Sequence, residues 1–155
     1  MQNKNQTAAV VAAQQSTPMT VLNHSITPML TRQQTGGAYY TFTCVSPPGQ
    51  GIPLHVNEQG DAIVAVVDGE YSVMIGDKRY HALKGDVCFF PKQVPHSFQN
   101  IGTKAGTTVW TISPGANFEH FFDTLSNLPA GEPDPAAIAR IFAENGMSIV
   151  MPAMV

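Results

Sequence analysis

Between Thr20 and Pro114 the chain alternates short runs of β-branched, aromatic and other apolar residues with clusters of turn residues. TVLNHSI, AYYTFTCV, AIVAVV, EYSVMI, KRYHAL, DVCFFP, HSFQNI and TTVWTIS are each of strand length. Asp68-Gly69 and Gly76-Asp77 fall between successive runs, and both dipeptides are two-residue hairpin signals. The pattern predicts an all-β fold made of a meander of antiparallel strands. Many short strands must each bury one face and protect their edges, so the expected architecture is a sandwich or an antiparallel β-barrel.

The period of the pattern changes after Pro114. NFEHFFDTL places Phe118, Phe121, Phe122 and Leu125 at helical spacing, which predicts a short helix with one apolar face against the strands. PDPAAIARIFAENG supplies an Asp134 cap, Pro135 at the first helical position, Ile138, Ile141 and Phe142 on one face, and Gly146 as a stop. The tail MSIVMPAMV suits a last strand or a segment lying along a partner. The division expected is a mobile arm over 1–18, a β-barrel over 19–116, and a helical extension and tail over 117–155. The arm rests on the Gln, Asn and Ala bias of the first residues.

Charge narrows the partners. Of 155 residues 12% are Asp, Glu, Lys or Arg, about half the usual share, and the net charge is -3. There is no basic cluster of the kind that binds DNA or RNA. No apolar run reaches the 18 residues of a membrane span, and the apolar stretch Ala8 to Ala13 is short for a signal segment, so a cytoplasmic protein without membrane or nucleic-acid partners is expected. Cys44 and Cys88 sit in apolar strand runs and read as buried thiols rather than a disulfide framework.

Two segments carry a family resemblance. GQGIPLHVNEQGDAIVAVVDG over 49–69 and GDVCFFPKQVPHSFQN over 85–100 resemble the paired signatures of the cupin superfamily, whose members are small jelly-roll β-barrels. His55 and Gly69 match the first signature, and Gly85, Pro91, His96 and Asn100 match the second. The resemblance runs over about residues 36 to 122, and the FEHFF helix is similar to the segment after the barrel in small cupins related to quercetin dioxygenases. It implies a cupin barrel with two short C-terminal α-helices. In metal-binding cupins three histidines and a glutamate hold Fe, Mn, Ni, Cu or Zn; this chain has Asn57 and Ala62 in two of those positions.

Side-chain alternation puts His55 and Asn57 on one strand face, and His96, Phe98 and Asn100 on another, so both histidines can point into one cavity. Asp61 and Glu58 have the opposite parity and should face outward. Two neutral nitrogens and the weak amide oxygen of Asn57 form a poor ligand set, so a divalent ion on His55, His96 and Asn57 is expected to be held weakly or not at all. No nucleotide cofactor is expected. The same imidazoles suit general acid and base work. Tyr40, Phe42, Val64, Val66, Phe98 and Trp110 are expected to line the cavity together with Asn57. His81 and His120 read as exposed residues, and His24 has no partner visible in sequence. The reading is an enzyme acting on a small aromatic or polyketide-like molecule, with His55 and His96 at the reacting centre. A quercetinase-like, metal-dependent dioxygenase and a non-catalytic small-molecule binder are the alternatives. A homodimer is expected, because the tail and arm offer strand-like segments to a partner.

Overall fold

A computed structural model of the chain describes residues 6–115, 117–129 and 131–150. After a 3₁₀ turn at Ala13–Gln15 come β1 (Met19–Val21), β2 (His24–Leu30), the single-turn α1 (Arg32–Thr35), β3 (Tyr40–Ser46), β4 (His55–Asn57), β5 (Asp61–Asp68) and β6 (Glu70–Ile75). Next along the chain are β7 (Lys78–Leu83), β8 (Val87–Phe90), β9 (His96–Asn100), β10 (Gly106–Ser113), α2 (Phe118–Ser126), α3 (Pro135–Glu144) and β11 (Met147–Ile149). The strands form two antiparallel sheets, a six-stranded one in the order β1-β2-β3-β10-β5-β8 and a five-stranded one in the order β11-β4-β9-β6-β7. The expected barrel is therefore corrected to a jelly-roll sandwich: no ladder among the described residues joins one sheet to the other. Each sheet keeps its own edges, at β1 and β8 in one and at β7 and β11 in the other.

The two dipeptide signals turn out differently. Gly76-Asp77 closes a two-residue hairpin, with Ile75 opposite Lys78. Asp68-Gly69 does not, because β5 pairs with β8 and β10 in one sheet while β6 pairs with β7 and β9 in the other. It is a corner between layers. Gly69 has φ +108° and a side chain there would meet the Cα of Gly106 at 2.9 Å, so the corner needs both a left-handed backbone and no Cβ. A hairpin that the pattern hid lies inside TVLNHSI: Leu22 and Asn23 take φ 47° and 70°, and Val21 pairs with His24. That positive-φ pair splits one expected strand into β1 and β2.

Both helices form where the spacing predicts them. Phe118, Phe121, Phe122 and Leu125 are the buried residues of α2. In α3, Asp134 accepts from the Ala136 amide at 3.0 Å, Ile141 and Phe142 are buried, and Gly146 comes after it in the left-handed region. The helices pack on each other and on the sandwich: Phe121 of α2 and Phe142 of α3 meet edge to face with centroids 5.0 Å apart, and Phe122 meets Phe42 of β3 edge to face at 4.9 Å. Each such side chain contributes roughly 1.5–3 kcal/mol by leaving water. Of the tail, residues 147–149 pair with β4 of the same chain, so this part of the segment expected to reach a partner is used internally; residues 151–155 lie outside the described ones. No helix among the described residues is long and apolar enough to cross a membrane.

Candidate functional site

The site is built on β4 and β9, which meet at one register position, His55 opposite His96. β4 is short for local reasons. Pro53 cannot donate to a ladder just upstream. Downstream, the Asn57 side chain folds back, its Oδ1 accepting from the amides of Gln59 at 3.1 Å and Gly60 at 3.0 Å. On its other side β4 is zipped to β11, with Asn57, Val56 and His55 opposite Met147, Ser148 and Ile149.

The imidazole centroids of His55 and His96 lie 4.3 Å apart. Each Nδ1 faces the carbonyl two residues upstream, Pro53 O at 2.8 Å and Val94 O at 3.3 Å. A carbonyl only accepts, so both Nδ1 atoms carry the hydrogen and both Nε2 atoms keep a lone pair. The rings are also clamped: Phe90 stacks on His96 at 4.3 Å and 11°, and Phe142 meets His55 edge-on at 5.5 Å. Burial holds both imidazoles neutral. It pushes the His55 pKa below the usual 6.5, against the opposing bond to Pro53. Burial and then the charge His55 would carry push His96 down to about 3.

A cavity of about 80 Å³ opens beside this pair, and His55, His96, Asn57, Phe42, Phe98 and Trp110 line it. Val64 and Val66 line instead a smaller void together with Tyr71 and Cys88. Tyr40 is buried against Phe42 and Phe122, with centroids 5.6 Å and 5.9 Å away, and is not among the lining residues. The sequence pattern gave no sign of His24, which lines the cavity and is buried, its Nδ1 on Ser46 Oγ at 2.9 Å and its Nε2 on Gly51 O at 3.2 Å. Only the hidden hairpin turn could have shown that His24 enters a sheet beside β3. Nor did the pattern single out Phe90, or give Phe142 more than a place on a helix face, although their rings pack against the two imidazoles. His81 is exposed beside Glu70, and His120 is exposed on α2. Both cysteines are free thiols, Cys44 buried and Cys88 half-buried.

The metal that such a fold implies can be tested against the donors present. Ala62 lines the cavity at the position of the missing carboxylate. Asp61 turns outward and accepts from the Lys92 amide at 2.8 Å, and Glu58 is exposed. The Asn57 oxygen is spent on two backbone amides, and its NH₂ has no lone pair to offer. Among the described residues no group of three or more His, Cys, Asp or Glu could hold an ion. The donor set does not fit the three-histidine, one-carboxylate centre.

A jelly-roll sandwich whose two motif histidines face one interior cavity defines the class. Residues 42–112, a little under half of the chain, match the family model for the cupin domain. It is 24% identical over 101 residues to a quercetin 2,3-dioxygenase of Bacillus subtilis strain 168, a match covering 65% of this chain and only 29% of that protein. Among solved structures it resembles a predicted oxalate decarboxylase from Thermotoga maritima, at TM-score 0.63 and 24% identity over 68% of this chain and 98% of that one. It also resembles KdgF from a Halomonas species, at TM-score 0.63 and 16% identity over 70% of this chain and 94% of the other.

Proposed function

We propose that this cupin is an enzyme that moves a proton on a small, ring-containing organic molecule held in the cavity, with His55 and His96 at the reacting centre and no metal in the step. One observation carries the reading: two buried, neutral imidazoles lie side by side with each Nδ1 tied to a backbone carbonyl, leaving both Nε2 lone pairs for a ligand. A neutral Nε2 removes a proton from the substrate, the imidazolium so formed is paired with the substrate anion beside it, and a proton that has exchanged with water is returned at another atom. This is the chemistry of isomerases, cyclases and lyases. The apolar walls supplied by Phe42, Phe98 and Trp110 fit an aromatic or polyketide-like substrate.

The experiment is proton exchange. Enolisable phenolic and polyketide-like compounds are incubated with the protein in deuterated water and monitored by NMR. Wild type should catalyse exchange, and His55→Ala and His96→Ala should each lose about 10²-fold or more of the rate while keeping the fold. The rival reading as a binder expects saturable binding without exchange, weakened about tenfold or less by either change.

A further inference from the structure

The polar end of the cavity has a definite hydrogen-bonding sense. Because Asn57 Oδ1 accepts from two amides, the atom turned the other way is the Nδ2 donor. The Nε2 atoms of His55 and His96 are acceptors, as their Nδ1 partners require. None of these three atoms has a hydrogen-bond partner among the described residues, and none is sealed off. The side-chain polar atom that is both enclosed and unpartnered there is the Tyr71 hydroxyl, on the other void. His55, His96 and Asn57 all line the cavity, and the polar side-chain atoms they keep free are two acceptors and one donor. No Lys, Arg, Asp or Glu is among the residues lining it.

We propose that the cavity selects an uncharged ring bearing adjacent hydroxyls, which donate to the Nε2 atoms of His55 and His96 while a ring oxygen accepts from Asn57 Nδ2, and that it rejects carboxylates. A hydroxyl is the group that suits such a site, since it both donates and accepts. An ionised carboxylate only accepts. It would meet two lone pairs and no cation in an apolar enclosure, which leaves a buried charge unpaired. The pair of imidazoles, centroids 4.3 Å apart, matches two hydroxyls on neighbouring atoms of one ring. At about 80 Å³ the space is about half the roughly 150 Å³ of a cavity that takes benzene, so the ring enters as the phenylalanine side chains of α2 and α3 that line it move outward. This inference rests on the reading of the cavity as the ligand site and adds the ligand's class to it.

Trp110 is the chain's single tryptophan and lines the cavity, so its fluorescence reports occupancy directly. Wild-type protein is titrated with catechol, 1,2-dimethoxybenzene and benzoate. Catechol should quench saturably, the dimethyl ether should bind at least about tenfold more weakly for the donors it lacks, and benzoate should not saturate. His96→Phe, which keeps a ring against Phe90 but removes Nε2, should weaken catechol about tenfold. Benzoate or the ether binding as tightly as catechol overturns the proposal, and so does the absence of saturable quenching by all three. Catechol selectivity without proton exchange on any substrate supports the ligand class and removes the enzyme reading; exchange confined to carboxylate substrates does the reverse.

Discussion

β4 and β9 each contribute one histidine to the pair, but the asparagines that accompany those histidines do different work. Asn100, at the far end of β9, is fully buried, donates to Ser46 O and Lys104 O at 2.9 Å each, and accepts from the Gly102 amide at 2.8 Å. It ties the end of β3 to the turn between β9 and β10 and is not among the residues lining the cavity. Asn57, two residues after His55, uses its side-chain oxygen to hold only the loop just after its own strand and is itself one of the residues lining the cavity. The comparison teaches that a motif residue in place can be architectural, while a motif residue replaced can mark the site. The agreement at Gly85, Pro91 and Asn100 is evidence for a fold, and the departures at 57 and 62 are evidence about chemistry.

The largest effect should come from the architectural side. Asn100→Ala leaves the buried Ser46 carbonyl without its partner and removes two part-buried bonds to the 102–104 turn, and is expected to cost about 3 kcal/mol, a fall in Tm of roughly 6–12 °C. Urea or thermal unfolding checks it. A change no larger than that of Asn57→Ala would erase the distinction between the two strands.

Acid should act through the histidine pair. A histidine kept neutral by the fold binds fewer protons than its unfolded counterpart, so its contribution is intact above pH 6.5 and is lost as pH falls from 6.5 towards 3. For His96 alone the loss between pH 7 and pH 5 is about 2 kcal/mol. The burial of His55 and His24 acts in the same direction. His96→Phe should flatten the fall in unfolding free energy between those two pH values by about that amount, and an unchanged slope would show that His96 titrates normally.

The smallest effect belongs to Asn57. Asn57→Ala removes one acceptor shared by two amides, one of them on the buried Gly60, at a cost of about 1 kcal/mol. Combining Asn57→His with Ala62→Glu should cost stability to a similar extent, because an imidazole does not reproduce that turn, yet it should raise metal content from near zero towards one ion per chain. Elemental analysis of wild type and double variant decides it. A full ion in wild type would mean that the donor set has been misjudged.

The elements were legible where periodicity alone governed them: both C-terminal helices, the Gly76-Asp77 hairpin and the inward faces of β4 and β9. Layering was not. Asp68-Gly69 has the composition of a hairpin, and only the strand pairing, with β5 in one sheet and β6 in the other, shows that the chain changes sheets there. Alternation correctly turned Asp61 outward and Ala62 inward, but it could not separate Val64 and Val66 from the cavity, since every inward residue of a sandwich looks alike in a period-two pattern. Hydrogen-bond sense was equally hidden. That Asn57 spends its oxygen on Gln59 and Gly60 depends on a turn which the letters NEQG allow without requiring.

The pairing of β11 with β4 also bears on how the protein is made. About ninety residues separate the two strands, so at a synthesis rate of roughly 5–20 residues per second β4 waits several seconds for its neighbour. During that interval the ribosome holds a chain whose sheets can begin to form while Phe118, Phe121, Phe122 and Phe142 have yet to cover the interior. The edge of β4 beside His55 stays open to mispairing until Met147–Ile149 arrives. Assembly of the site is thus a late event in translation, and a ribosome stalled before residue 147 would carry the domain in its most chaperone-dependent form.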